Sequence, residues 1–300
     1  MNWMDRSPYA PHERLVAPAR RHPEVWRLIV GLLLVAAVAI AFSRGAQAVL
    51  FGLAPGLMQS PQAFQDGNTP VSLLVLLGSF GFVSLGVMIA ARIVQRRPPL
   101  GVIGPFPLAL RQFWQVSRWL LLLALTVALL PPYDMGAELR TNLPPQVWVQ
   151  LLPLSLAAVL IQTSAEEILF RGYVQQSLAA RFKSPLVWMA LPSALFALGH
   201  YLPAEAGENA VLIALWSGAF GLFAADLTAR SGTLGPAIAL HLFNNVTALL
   251  FVALPDSLSG LALYTLPYSM SDTGALRSWL AVDFALLIVG WLAARVAIRR

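Results

Sequence analysis

Long apolar runs recur along almost the whole chain, and that recurrence dictates what the chain can fold into. Eight runs stand out, at about Trp26–Phe42, Val71–Ala91, Phe113–Leu130, Pro145–Phe170, Leu186–Leu202, Ala210–Ala229, Leu234–Leu254 and Trp279–Val296. In helical form, about 20 apolar residues match the hydrocarbon thickness of a bilayer. Inside hydrocarbon every backbone polar group needs an internal partner, and unbroken runs of this kind meet that need as helices. The expected fold class is therefore all-α, a polytopic transmembrane bundle of about eight spans. Composition agrees: 11% of residues are charged and 58% hydrophobic, whereas a soluble domain carries about 25% charged residues.

The basic residues orient the bundle. When connectors are numbered alternately from the N-terminus, 17 of the 20 Lys and Arg residues fall in one set; only Arg44, Arg140 and Arg277 fall in the other. The positive-inside rule then places both termini in the cytoplasm. Arg27, Arg118 and Arg295 lie just inside their runs, where a long side chain snorkels to the interface. The short run Ala46–Met58, broken by Pro55 and Gly56, reads as an interfacial or re-entrant piece. The net charge of +6 belongs to this topology, so nucleic acid is excluded as a partner and membrane lipid is expected. The stretch Met1–Arg27 is polar and basic and lacks the pattern of a cleaved signal peptide. Residues 1–25 form a cytoplasmic N-terminal segment and 26–300 a single membrane-embedded domain. The absence of cysteine removes thiolate catalysis and disulfides.

Ionisable residues inside a bilayer are costly and each needs a reason. Glu166 and Glu167 end the fourth run, and adjacent helical residues point about 100° apart. Arg171 follows Glu167 by four residues, the spacing of a helical ion pair, which leaves Glu166 to face the bundle interior. Phe196 and His200 share one helical face, as do His241 and Asn245. Each group alone also suits a packing role, since His and Asn bridge membrane helices. Asp226 and Arg230 suit a helix-end ion pair, and Asp283 lies near the outer end of the last run. Together, the first groups offer a carboxylate or His to activate water and His or Asn donors for an oxyanion. No Gly-x-Ser-x-Gly elbow and no His-Glu-x-x-His motif is present.

These residues resemble the three motifs of the CAAX protease and bacteriocin-processing family, also described as type II CAAX prenyl endopeptidases or the Abi family. Glu-Glu-x-x-x-Arg matches Glu166, Glu167 and Arg171; Phe-x-x-x-His matches Phe196 and His200; His-x-x-x-Asn matches His241 and Asn245. The motif core spans about 160–250. The resemblance implies an eight-span helical bundle and an intramembrane endopeptidase that cleaves a hydrophobic or lipidated, CAAX-like peptide near the cytoplasmic leaflet. It also implies that Glu166 and His200 activate water, that His241 and Asn245 stabilise the oxyanion, and that Glu167, Arg171 and Phe196 support the site. No metal ligand is assigned. A metal-dependent version of the mechanism would hold a divalent ion such as zinc on Glu166, His200 and His241. The alternative reading is a non-catalytic binding or bacteriocin-immunity protein that uses the same cavity. The Arg-rich, Lys-poor composition points to a bacterial inner membrane.

Depth sets one further expectation. His241 lies about 10 Å into its run and His200 about 21 Å past Leu186, at 1.5 Å per residue. For these to meet, the fifth helix must start late or bend near Pro192.

Overall fold

The computed structural model describes residues 7–53, 65–130 and 138–299. Pro55, Gly56 and Met58 lie outside them, as do Arg6 and Arg300. Helices coincide with all eight apolar runs. The first is α1 (Val25–Leu53). Next comes a nearly continuous pair, α2 (Pro70–Ser79) and α3 (Gly81–Ile93), followed by α4 (Phe106–Ala128). The fourth run forms α5 (Pro145–Glu167), a π-helical stretch Ile168–Gln175, and α6 (Gln176–Arg181). The fifth forms a π turn Leu186–Ala190 and α7 (Leu191–Gly199). Then follow α8 (Ala210–Ser231), α9 (Gly235–Val246) with a π turn Thr247–Phe251, and α10 (Thr273–Ala297).

Among the described residues, five helices are long and apolar enough to cross a membrane: Val25–Leu53, Pro70–Ile93, Pro145–Arg181, Pro203–Ser231 and Thr273–Ala297. The chain is an all-α polytopic integral membrane protein. The two helices Leu186–Gly199 and Gly235–Phe251, which carry the His motifs, are apolar but shorter.

Local chemistry sets several boundaries. α2 starts with a capping box in which Thr69 and Ser72 satisfy each other's backbone N–H groups, and Pro70 occupies the first turn, where its missing N–H costs nothing. The run Ala46–Met58 is corrected in its described part: Ala46–Leu53 completes α1 instead of forming a separate interfacial piece, because nothing in Ala46–Leu53 breaks a helix. α10 begins at Thr273, six residues before the run. Asp283 therefore stands ten residues inside the helix, about 15 Å from its start, and not near its outer end.

Small residues let helices close on one another. A Cβ on Gly86 would meet the Val35 backbone at 3.0 Å, so the small face of α3 packs internally on α1. A Cβ on Gly235 would lie 2.1 Å from the Ala109 carbonyl oxygen, so the start of α9 sits directly against α4. At the far end of the bundle, short strands β1 (Arg140–Thr141), β2 (Val252–Ala253) and β3 (Tyr264–Thr265) form a sheet in the order β1-β3-β2. β3 is antiparallel to β1 and parallel to β2. Trp148 reinforces this clasp by donating from Nε1 to the Leu250 carbonyl at 2.7 Å.

The N-terminal segment is part of the packed structure. Leu15 and Val16 are buried. His12 is also buried and lies 4.7 Å from Trp188, centroid to centroid. Burial lowers the His12 pKa from 6.5 to about 4, since desolvation disfavours the charged ring. A detached segment would take up a proton near pH 6.5, so docking is strongest above that value. It is expected to weaken as pH falls toward 4, by up to about 3 kcal/mol. Limited proteolysis of the first 20 or so residues should accelerate over that window in the wild type and much less in His12→Gln. An acid-independent wild type would contradict the buried neutral histidine.

Candidate active site

The fourth helix positions two carboxylates on different faces. Glu167 is fully buried and accepts a hydrogen bond from Arg171 Nη1 at 3.0 Å, the ion pair expected from their spacing. Arg171 is itself 1% exposed. Its Nη2 donates to the Gly221 carbonyl at 3.2 Å, and its guanidinium lies 5.0 Å from the Phe196 ring centroid. Glu167 and Arg171 stand on either side of the change from α-helix to π-helix at Ile168. A π segment widens the turn and re-aims the residues beyond it, and such segments concentrate at functional sites. The other two motif helices also contain π turns, one before Phe196 and one after Asn245. The fifth helix does not start late: it begins with the π turn Leu186–Ala190 and continues as α7 through Pro192.

α9 brings His241 onto the carboxylates. Its Nδ1 donates to Glu167 Oε1 at 2.8 Å, and its Nε2 lies 3.5 Å from Glu166 Oε2. Phe220 holds the imidazole from the side at a centroid distance of 4.6 Å. Glu166 is tied by its other oxygen, Oε1, which accepts from Gln162 Nε2 at 2.7 Å. Asn245 completes the chain, its Nδ2 donating to Gln162 Oε1 at 2.8 Å, and Asn244 donates to Asn245 Oδ1 at 3.2 Å. Glu166 Oε2 and Glu167 Oε2 are both buried and have no hydrogen-bond partner. Buried carboxylate oxygens are seldom left so.

His200 reaches the site by another route. It caps α7, and its Nδ1 donates to the Phe196 carbonyl at 2.8 Å. A neutral ring so fixed presents Nε2 as a lone pair. The Phe196 ring lies between the two histidines, 4.4 Å from His200 and 6.1 Å from His241, centroid to centroid. Among the described residues, no hydrogen bond or ion pair joins His200 to Glu166 or His241. The structure thus unites Glu166, Glu167, Arg171, His241 and Asn245 in one network, with Phe196 packed against it and His200 at its edge.

Among the described residues no three His, Asp or Glu side chains converge as a metal-binding group. Glu167 and Nδ1 of His241 are committed to each other and to Arg171. Glu166, His200 and His241 are not among side chains that converge in this way.

Three contributors escape the motif reading. Gln162 links Glu166 to Asn245, Asn244 extends the chain, and the Gly221 carbonyl anchors Arg171. Gln162 carried a signal, being a polar residue one helical turn before Glu166 in an apolar run. The Gly221 carbonyl had none, because a backbone group has no signature in sequence. The ion pair of Arg230 with Asp226, at 2.7 Å, is present as the spacing suggested. Asp226 also accepts from Tyr9 and Trp291, each at 3.0 Å, and so ties the N-terminal segment to α8 and α10.

The fold and site define a polytopic helical membrane protein with a buried Glu–His–Arg centre. Residues 148–247 match the family model described as type II CAAX prenyl endopeptidase Rce1-like, and all the motif residues lie within that segment. The match bears out the resemblance read from the motifs, over that segment. The chain is also similar to the uncharacterized protein YyaK of Bacillus subtilis (strain 168), at 28% identity over 187 residues. That alignment covers 60% of this chain and 60% of YyaK, so the chain spans somewhat under two thirds of the length of that curated relative. No solved structure matches.

Proposed function

We propose that the protein is an intramembrane endopeptidase that hydrolyses a peptide bond of a hydrophobic or lipidated substrate near the cytoplasmic leaflet. The reading is carried by one observation: the unpartnered, buried Glu166 Oε2 faces His241 Nε2 at 3.5 Å, inside the segment that matches the peptidase family. The bundle is proposed to cross a bacterial inner membrane with eight segments and both termini cytoplasmic, as the arginine distribution requires.

In this reading Glu167 and Arg171 are paired with each other, and Glu166 and His241 Nε2 face the substrate. In the proposed mechanism Glu166 takes a proton from the attacking water while the water oxygen bonds to the scissile carbonyl carbon. His200, through Nε2, helps orient and deprotonate that water. His241, carrying a proton on each ring nitrogen in this step, donates to the oxyanion through Nε2–H, as does the second N–H of Asn245. The intermediate then collapses, the C–N bond breaks, and Glu166 returns its proton to the leaving amine. Glu167 orients the His241 ring through its Nδ1–H, and Arg171 holds Glu167.

The test needs no prior guess at substrate. Wild type and Glu166→Gln are expressed at matched levels, and new N-terminal peptides in the membrane fraction are compared by mass spectrometry. Products dependent on Glu166 establish a peptidase and name its substrate. Their absence with both proteins folded moves the weight to the binding or immunity reading. With a substrate in hand, cleavage is expected to persist after prolonged treatment with EDTA or 1,10-phenanthroline, since the donors do not assemble a metal site. Loss of activity restored by added zinc would reject that expectation.

A further inference from the structure

A second polar cavity lies away from the Glu166 site, where the N-terminal segment meets the ends of three helices. It has a volume of about 390 Å³ and is lined by Pro11, Arg14, Leu108, Arg111, Gln112, Arg230, Ser231 and Ile298. That volume lies in the range of small-ligand sites, roughly 300–1,000 Å³. Three of its eight lining residues are arginines and none is an acid. The arginines come from separate elements: Arg14 from the N-terminal segment, Arg111 from α4 and Arg230 from the end of α8.

Their charge is only partly balanced. Arg230 is paired with Asp226 and lies 5.1 Å over the Tyr9 ring. Arg14 and Arg111 have no carboxylate partner among the described residues. Three arginines against one aspartate leave two positive charges facing one hollow. Gln112 is held in place, its Nε2 donating to the Ser231 carbonyl and its Oε1 accepting from Thr233 Oγ1. Beside Arg111, α4 exposes Phe106, Leu110 and Trp114, at 65%, 45% and 54%. Their spacing of four residues puts them on one face of the helix. A face of this kind, with Trp and Phe near a helix end, sits at the headgroup level of a bilayer.

We infer that this cavity binds a phosphate-bearing anion, and that its occupant is the headgroup of an anionic phospholipid. The guanidinium groups match phosphate oxygens in charge and geometry, and the exposed aromatic face of α4 would lie against the acyl chains. Such a lipid would fasten the N-terminal segment to α4 and α8. The inference is independent of the peptidase reading, since none of its residues belongs to the Glu166 network.

The test uses the full chain. Wild type, Arg14→Gln/Arg111→Gln and a control, Arg181→Gln/Lys183→Gln, which alters exposed basic residues outside the cavity, are placed in phosphatidylcholine nanodiscs with or without phosphatidylglycerol. Retained lipid is measured by native mass spectrometry after controlled delipidation, and all three proteins are checked for thermal unfolding. Arg230 is left in place because its removal would strand Asp226. The wild type and control should prefer phosphatidylglycerol, and the cavity variant should bind it about thirtyfold more weakly, the loss expected for two membrane-apposed arginines. An unchanged preference in the folded cavity variant, or an equal loss in the control, would overturn the site. A parallel arm titrates inorganic phosphate and glycerol 3-phosphate into detergent-solubilised protein. Stabilisation by these that requires Arg14 and Arg111, without preference for the lipid, would keep the phosphate chemistry and overturn the lipid as its source.

Discussion

Glu166→Gln is expected to lower the turnover number of the proposed cleavage by about 10²- to 10⁴-fold, the contribution of a positioned acid–base group, while the protein folds normally. Gln matches Glu in size, and its side-chain oxygen can still accept from Gln162 Nε2, which lies 2.7 Å from Glu166 Oε1. What it cannot do is take a proton from water and return it to a leaving amine. The substitution places no new charge in the core, and Glu166 is partly accessible at its edge, with 14% of its side chain exposed. Stability should therefore change little. The measurement is a rate on a purified substrate alongside thermal unfolding of the same preparation. Cleavage retained near the wild-type rate would remove Glu166 as the base and transfer that role to His200 or His241.

Arg171→Met is expected to have its largest effect on folding. Arg171 and Glu167 are 1% and 0% exposed and 3.0 Å apart. Removing one partner of such a pair leaves an uncompensated buried charge, at a cost of about 3–5 kcal/mol. Here the damage spreads further. The Gly221 carbonyl loses its donor, Phe196 and Phe220 lose the guanidinium at 5.0 and 5.8 Å from their rings, and Glu167 is left with His241 alone. Arg171→Lys should rescue only part of the loss, because one ammonium cannot serve Glu167 and Gly221 with the planar fork of a guanidinium. The double variant Glu167→Gln/Arg171→Met should recover stability relative to Arg171→Met, since it removes the stranded charge. Thermal unfolding in a fixed detergent reads all three. A folded Arg171→Met with wild-type stability would mean that the pair contributes little to the fold.

In the proposed mechanism the two residues divide chemistry from support within one motif. Glu166 and Glu167 are adjacent in sequence and share a side-chain type, yet burial and partners divide them. One is held by an amide and turns its second oxygen toward His241 Nε2. The other is locked between an arginine and a histidine.

Much of this was legible in the chain itself. Apolar runs of membrane-spanning length dictate helices, because hydrocarbon offers the backbone no other partners. The spacing of Glu167 and Arg171 dictates an ion pair on one helical face. The polar residues inside otherwise apolar runs mark the site, since each is too costly to bury without a partner. These are local or compositional signals, and a sequence carries them directly.

The remainder depends on which helices meet. Nothing in the spacing of His241 says that its Nδ1 reaches Glu167, seventy-four residues away, or that Gln162 joins Glu166 to Asn245. The π turns that re-aim the motif helices have no sequence signature of their own, because they arise from packing among neighbouring helices. The burial of His12 was hidden for a related reason. A polar, basic N-terminus reads as solvated until Trp188 and Gln175 are found beside it. Sequence alone determined that this chain inhabits a membrane and which polar side chains lie within its apolar runs. Tertiary structure decided which of their atoms face one another, because orientation between distant helices is set by packing and not by order along the chain.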